Sequence, residues 1–232
     1  MKKYLYIISI FLSISWIISF CIFNWYLWFV YPDRELYPIM GIDVSHHQWV
    51  IDWKKVSESW VWFVYLKATE WDDWVDKRFF ENYLGAKSNH IPVWVYHFYS
   101  LRISPELQLN NIINTLSWKI FDLPIVVDLE FWWNSQSRPS LESFQNDLTI
   151  LLDGIEKFQN KKPILYITYE FKDQYLSWFK KYPIWIRDIF RHPHDDLDWI
   201  IWQYKNRGHI HGIDGFVDLN ILSGSIDNFI KN

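Results

Sequence analysis

The sequence predicts an α/β fold, an irregular eight-stranded barrel carried behind an N-terminal transmembrane helix. Three observations lead there. Residues 41–219 alternate short runs of β-branched and aromatic residues with longer segments of helical period, the pattern of strands joined by crossover helices. Eight strand-like runs are present, enough to close a largely parallel sheet on itself. Ahead of them, no charged side chain occurs from Tyr4 to Val30.

That uncharged stretch would extend roughly 40 Å as a helix, more than the roughly 30 Å hydrocarbon core of a bilayer. Lys2 and Lys3 precede it and Asp33, Arg34 and Glu35 follow it, so the positive-inside rule keeps the N-terminus cytoplasmic and the remainder external. The expectation is a single-pass protein of the cell membrane. A cleaved signal peptide, and hence secretion, is the competing reading, but the apolar run is long and no Ala-x-Ala-like site closes it. The domains expected are a cytoplasmic tip and signal-anchor over 1–30, a stalk over 31–39, the barrel over 40–226 and a tail over 227–232.

Within the barrel the strand candidates are Gly41–Val44, Phe63–Ala68, Pro92–Tyr99, Pro124–Glu130, Pro163–Thr168, Pro183–Arg187, Ile200–Tyr204 and Phe216–Leu219. Helical segments are expected near 52–59, 77–88, 104–118, 140–159 and 170–180. In the fourth, Leu141, Phe144, Leu148, Leu151, Leu152 and Ile155 keep the spacing of one buried face, and Ser140 is a suitable N-cap. The last three strands have no full helix between them, which makes the barrel irregular.

Composition removes several classes of function. Apolar residues at 50% and aromatics at 21% supply ample core, so disorder is excluded. A formal charge of −4 offers no basic field for nucleic acid. The single cysteine, Cys21, forms no internal disulfide and rules out a Cys-rich metal site.

In a barrel of this type the chemistry sits at the carboxyl ends of the strands. Leu123-Pro-Ile-Val-Val-Asp-Leu-Glu130 is a buried strand that ends in two acids. Residues i and i+2 share a face, so Asp128 and Glu130 point the same way, roughly 6 to 7 Å apart along the strand. Carboxylates that close perturb each other and leave one protonated near neutral pH, as acid catalysis of glycoside cleavage requires. Asp43 ends the first strand and Asp218 stands in the last. First and last strands are neighbours in a closed barrel, so these acids are expected at the same mouth.

The chain resembles glycoside hydrolase family 25, the Chalaropsis-type lysozymes that cleave peptidoglycan. The resemblance is carried, in order, by Gly41-Ile-Asp-Val-Ser-His-His-Gln48, Ile51-Asp-Trp-Lys-Lys-Val56 and Phe63-Val-Tyr-Leu-Lys-Ala-Thr-Glu70. It continues through Pro92-Val-Trp-Val-Tyr-His-Phe-Tyr99, Leu123 to Glu130, Lys162-Pro-Ile-Leu-Tyr166, Ile201-Trp-Gln-Tyr204 and Gly215-Phe-Val-Asp-Leu-Asn220. It implies an irregular (β/α)5β3 TIM-like barrel and a muramidase acting between N-acetylmuramic acid and N-acetylglucosamine, with no metal or organic cofactor. Glu130 matches the general acid. Asp128 matches the residue that orients the 2-acetamido group of the substrate, an internal nucleophile and a recognised exception to the two-carboxylate scheme. Asp43 and Asp218 match further acids of the cleft, ordering the pair and binding sugar. The partner implied is the glycan strand of peptidoglycan; the N-terminal helix makes the membrane a second expected partner, and a monomer is expected although the sequence leaves the oligomeric state open. A catalytically inactive glycan-binding protein on the same barrel is the alternative, against which four intact acids argue.

Tyr96, Phe98, Tyr166, Trp185 and Trp202 lie on strands approaching the mouth, where aromatic faces stack on sugar rings and tyrosine hydroxyls donate hydrogen bonds. His46 and His47 diverge as neighbours and have no third soft ligand, so they are read as hydrogen-bonded or cleft-lining residues rather than metal ligands. Lys67 is a candidate counter-ion for the acids, and Glu70 a loop cap. His192, His194, Asp195, Asp196 and Asp198 form a charged loop read as solvated surface.

Tryptophan numbers 17 and glycine only 7, an inversion of ordinary usage. Several tryptophans stand where a backbone favours glycine: Trp60 after a helix, Trp71 and Trp74 among aspartates in a tight loop, Trp49 after the first strand and Trp94 inside a strand. Trp132 and Trp133 directly follow the Asp128 strand. In the resembled family, positions 49, 60, 71 and 94 are usually Gly. These seven, with Trp62 and Trp178, are expected to be glycines of the natural protein, encoded by UGA codons translated with the wrong table. Restoring them brings glycine to about 7%, the ordinary usage. An aromatic-rich carbohydrate surface is the rival account, and it gives no reason for glycine depletion.

Overall fold

The apolar runs form strands because their side chains are buried on both faces, as in any sheet wrapped by helices. The computed structural model describes residues 2–24, 26–118, 124–131, 138–176 and 182–224. Its strands are β1 (Met40–Val44), β2 (Phe63–Glu70), β3 (Trp74–Val75), β4 (Val93–Phe98), β5 (Val126–Leu129), β6 (Ile164–Thr168), β7 (Ile184–Arg187), β8 (Ile201–Gly208) and β9 (Val217–Leu222). The order β1-β9-β8-β7-β6-β5-β4-β2, with β1 also paired to β2, closes an eight-stranded barrel. The two-residue β3 adds antiparallel to the end of β2, in a segment expected as loop. Strands β1, β2 and β4 to β8 run parallel, and β9 returns antiparallel between β8 and β1. Closure requires Gly41, since a Cβ there would collide with the ring of Phe63 on the paired strand.

Helices α2 (Trp53–Ser57), α3 (Phe79–Ser88), α4 (Pro105–Leu116), α5 (Leu141–Gln159) and α6 (Tyr169–Tyr175) occupy the crossovers up to β7. Among the described residues no helix lies between β7 and β9, and β8 and β9 form a hairpin longer than expected. In α5 the Ser140 side chain accepts a hydrogen bond from the Ser143 N–H, and Asn160 ends the helix in the left-handed conformation. Its buried face is Phe144, Leu148, Leu151, Leu152 and Ile155, whereas Leu141, at the first turn, is exposed. Two apolar layers result. One lies between sheet and helices, and the other fills the barrel floor with Phe63, Tyr65, Trp94, Val126, Ile164 and Trp185.

Helix α1 (Lys2–Phe23) stands outside the barrel. Its Tyr6–Phe23 window has a mean hydropathy of 2.3 and no buried residue, long and apolar enough to cross a membrane by length and composition. Residues from the end of the expected anchor and from the expected stalk pack on the barrel. The Trp28 indole N–H donates to the Ile189 carbonyl at 2.9 Å, Val30 is buried, and Tyr37 meets Trp199 at 5.4 Å between ring centroids. Apolar side chains in this segment make a free stalk less stable than a docked one.

Candidate active site

Strand ends assemble the site. Asp43 on β1 stands directly across from Asp218 on β9, and Asp128, Tyr166 and Trp185 lie side by side on β5, β6 and β7. Together with Glu130 and Tyr96 they line one cleft of about 390 Å3, which Lys67, His47 and Phe98 also reach. Every expected site residue except Trp202 is therefore brought to this mouth. Trp202 is turned away: its indole N–H donates to the Asp188 carbonyl at 2.7 Å, and its ring packs with His192, Trp199 and Tyr204. Strand parity explains the correction, because Gln203, one residue on, takes the inward position.

A chain of hydrogen bonds ties the floor to the acids. The Trp185 indole N–H donates to Asn220 Oδ1 at 3.0 Å, and Asn220 Nδ2 donates to Asp43 Oδ1 at 2.7 Å. Asp43 in turn shares a hydrogen bond with Asp218, which is bonded to Gln203. Gln203 Oε1 accepts the Tyr166 hydroxyl at 2.6 Å. The ring of Tyr166 meets Trp185 edge to face at 5.1 Å. These contacts fix the acids in position before any ligand arrives.

Burial governs their ionisation. Desolvation raises Asp43 to about 6, against the opposing hydrogen bonds from Asn220 and Asp218. Asp128 is pushed well above the usual carboxylate range, first by burial and then by the charge of Glu130. Glu130 is raised by burial, with Arg187 and Lys67 pulling the other way. Asp218 is raised by burial and by Asp43. Asp128 lines the cleft, and its Oδ1 is buried with no hydrogen-bond partner, an acceptor that the fold leaves unsatisfied. Burial and the mutual charge of Asp128 and Glu130 favour retention of a proton on the acid pair, the equipment for protonating a leaving oxygen.

The model of glycosyl hydrolases family 25 matches residues 42–213, most of the barrel. The chain belongs to glycosyl hydrolase family 25. Its barrel superposes on a family 25 glycosyl hydrolase from Bacillus anthracis with a TM-score of 0.79 and 33% identity, covering 87% of this chain and 95% of that one. It is 31% identical over 199 residues to the uncharacterized protein YegX of Escherichia coli, covering 82% of this chain and 72% of that one. Lysozyme M1 of Streptomyces globisporus is 29% identical over 202 residues, covering 81% and 68% respectively. This family 25 enzyme is a glycoside hydrolase of the lysozyme type.

Three partners of the cleft's side chains escaped the sequence reading: Asn220, bonded to Asp43; Gln203, bonded to Tyr166; and Arg187, whose charge acts on the acids. The signal was present. Arg187 is two residues after Trp185 and Asn220 two after Asp218, the same i, i+2 parity that joins Asp128 to Glu130. His46 engages Asp76 through both its backbone N–H (2.9 Å) and its ring Nδ1 (2.8 Å), which anchors the turn that carries His47 to the cleft.

Proposed function

We propose that the protein is a muramidase that hydrolyses the β-1,4 bond between N-acetylmuramic acid and N-acetylglucosamine in peptidoglycan. The observation that carries the reading is the pair at the end of β5: Asp128 and Glu130 in one cleft, both raised by burial, with Asp128 Oδ1 unpartnered. Glu130 delivers its proton to the glycosidic oxygen as the C1–O bond breaks, and the 2-acetamido carbonyl oxygen of the same sugar bonds to C1. Asp128 accepts the acetamido N–H and holds that oxygen in line. Water then adds to C1, giving its proton to the Glu130 carboxylate, and the acetamido group is released. Asp43 and Asp218 order the pair, while Tyr96, Tyr166 and Trp185 bound the sugar site. In finer detail the fold is read as an irregular (β/α)5β3 barrel, held at the external face of the cell membrane by α1 as a signal-anchor.

Glu130→Gln keeps the shape of the side chain and removes its proton. Clearance of a purified peptidoglycan suspension should fall by about 10²–10⁴-fold, the usual contribution of a general acid. Near-full clearance by that variant would remove Glu130 from the role.

A further inference from the structure

Lys67 and Glu70 are three residues apart on β2, a spacing that sends side chains of a regular strand to opposite faces. Here they meet: Lys67 Nζ lies 2.6 Å from Glu70 Oε2, and both residues are buried. The cause is a bulge. Along β2 the register to β4 runs Lys67 to Tyr96, then Thr69 to His97 and Glu70 to Phe98, so Ala68 is the extra residue. Tyr96 and Phe98 both line the mouth, and the bulge thereby sets Lys67 and Glu70 opposite them, with Lys67 itself lining the mouth. Behind the sheet, Thr69 Oγ1 and His97 Nδ1 are 2.8 Å apart, and His97 Nε2 is 3.2 Å from Gln108 Oε1, which pins the bulged residues.

Stability does not account for this pair. Taking a lysine and a glutamate out of water costs several kcal/mol per ion, and apolar residues of similar volume commonly serve as well or better. The ammonium is nevertheless fixed, with Nζ 4.9 Å from the centre of the Phe98 ring and 5.1 Å from that of Trp74. Lys67 is also the one lysine or arginine among the described residues lining the cleft.

We propose that Lys67 is a positioning residue of the cleft, a cation tethered by Glu70 beside Asp128 and Glu130, which sets the pH window in which the acid pair works. The proposal rests on the muramidase reading for its kinetic form. The pair faces Asp43 and Asp218 from β1 and β9, the Tyr96 and Tyr166 hydroxyls from β4 and β6, and the Arg187 guanidinium from β7. On the Lys67 side stands His47, with His46 and Asp76 behind it. Acids and phenols thus surround the pair, and Lys67 and Arg187 are the cations that oppose them. Glu70 divides the field of Lys67 between itself and the pair.

The test compares Lys67→Met and Glu70→Gln in the full-length chain, using the pH dependence of kcat/KM on purified peptidoglycan and, separately, the pH titration of 13C-labelled Asp128 and Glu130 carboxyls by NMR. Losing the cation disfavours the carboxylates, so Lys67→Met moves both limbs and both carboxyl midpoints to higher pH by about one unit. Losing the counter-charge has the opposite sign, so Glu70→Gln moves them to lower pH. Lys67→Arg restores the wild-type window. Midpoints that stay fixed in both variants, or that move the same way, overturn the proposal, because a purely structural pair gives no opposite-signed response. A wild-type chain that releases no sugar defeats the muramidase reading while the NMR midpoints still decide the role of Lys67.

Discussion

The acids of the mouth work against the stability of the fold, and Asp43 shows how. Its carboxyl is raised from 3.8 to about 6, chiefly by burial, so the folded chain binds that proton more tightly than the unfolded one. The contribution is fully favourable below pH 3.8 and is lost as the pH rises through about 6. Asp43→Asn is therefore expected to stabilise the protein at pH 8 by about 1–3 kcal/mol, a gain that vanishes near pH 4, in denaturant titrations at the two pH values. Equal effects at both would show that the carboxyl is not strained by burial. The same substitution should lower activity, because Asp43 links the Asn220 arm of the hydrogen-bond chain to Asp218. An acid group that costs stability where it works is the expected trade at a functional site.

At the scale of elements, strand parity decided what could be read. Alternation placed Asp43, Asp128, Glu130 and Asp218 at one mouth, and the i, i+3 and i+4 stripe placed the buried face of α5. Parity failed where the strand is not regular. The β2 bulge, which joins Lys67 to Glu70, has no signature in the sequence Leu66-Lys-Ala-Thr-Glu70, because it depends on the Thr69–His97–Gln108 contacts from two other elements. Trp202 lies on a strand that approaches the mouth, but the register of β8 against β7 pairs Gln203 with Arg187 and leaves Trp202 on the other face. Gln108 is the lock on the bulge: its Oε1 also accepts the Ser100 N–H at 2.7 Å, and its Nε2 donates to the Ser100 and Ile103 carbonyls. Burial drives His97 down to about 4, so it is neutral there, with Nε2–H donating to Gln108. Gln108→Leu should cost about 2–4 kcal/mol of stability in chemical denaturation, since it leaves several buried polar groups unpaired at once. A loss under 1 kcal/mol would show that water replaces the lock.

For the whole molecule, the barrel and the order of its elements were legible because the hydrophobic pattern switches between helical and strand periods, while the docking of residues 26–39 was not, since it is made by contacts distant in sequence. The tryptophan excess runs through the whole chain. Positive φ occurs at four non-glycine residues among those described, and two of them are Trp49 (φ 55°) and Trp71 (φ 57°), beside His90 and Asn160. Bulky residues are rare in that region, which glycine enters freely. Trp94 is buried on the barrel floor with its indole N–H unpartnered. Trp60, Trp62 and Trp74 have no positive φ, and Trp132, Trp133 and Trp178 lie outside the described residues. The natural protein is accordingly expected to carry glycine at 49, 71 and 94, which peptide mass spectrometry of material from its own cells reads directly. Tryptophan at all three would end the recoding account. In recombinant protein made with tryptophan, Trp49→Gly and Trp71→Gly should each stabilise by about 1–2 kcal/mol through relief of left-handed backbone strain.

The acid pair at the end of β5 is expected to cleave a glycosidic bond on the muramic acid side. The most direct test is to digest purified peptidoglycan with the full-length chain, reduce the soluble products with borohydride and identify the reduced sugar by mass spectrometry. Muramitol ends that disappear with Glu130→Gln are the result expected of a muramidase. Glucosaminitol ends, or binding to peptidoglycan with no new reducing ends, would contradict it.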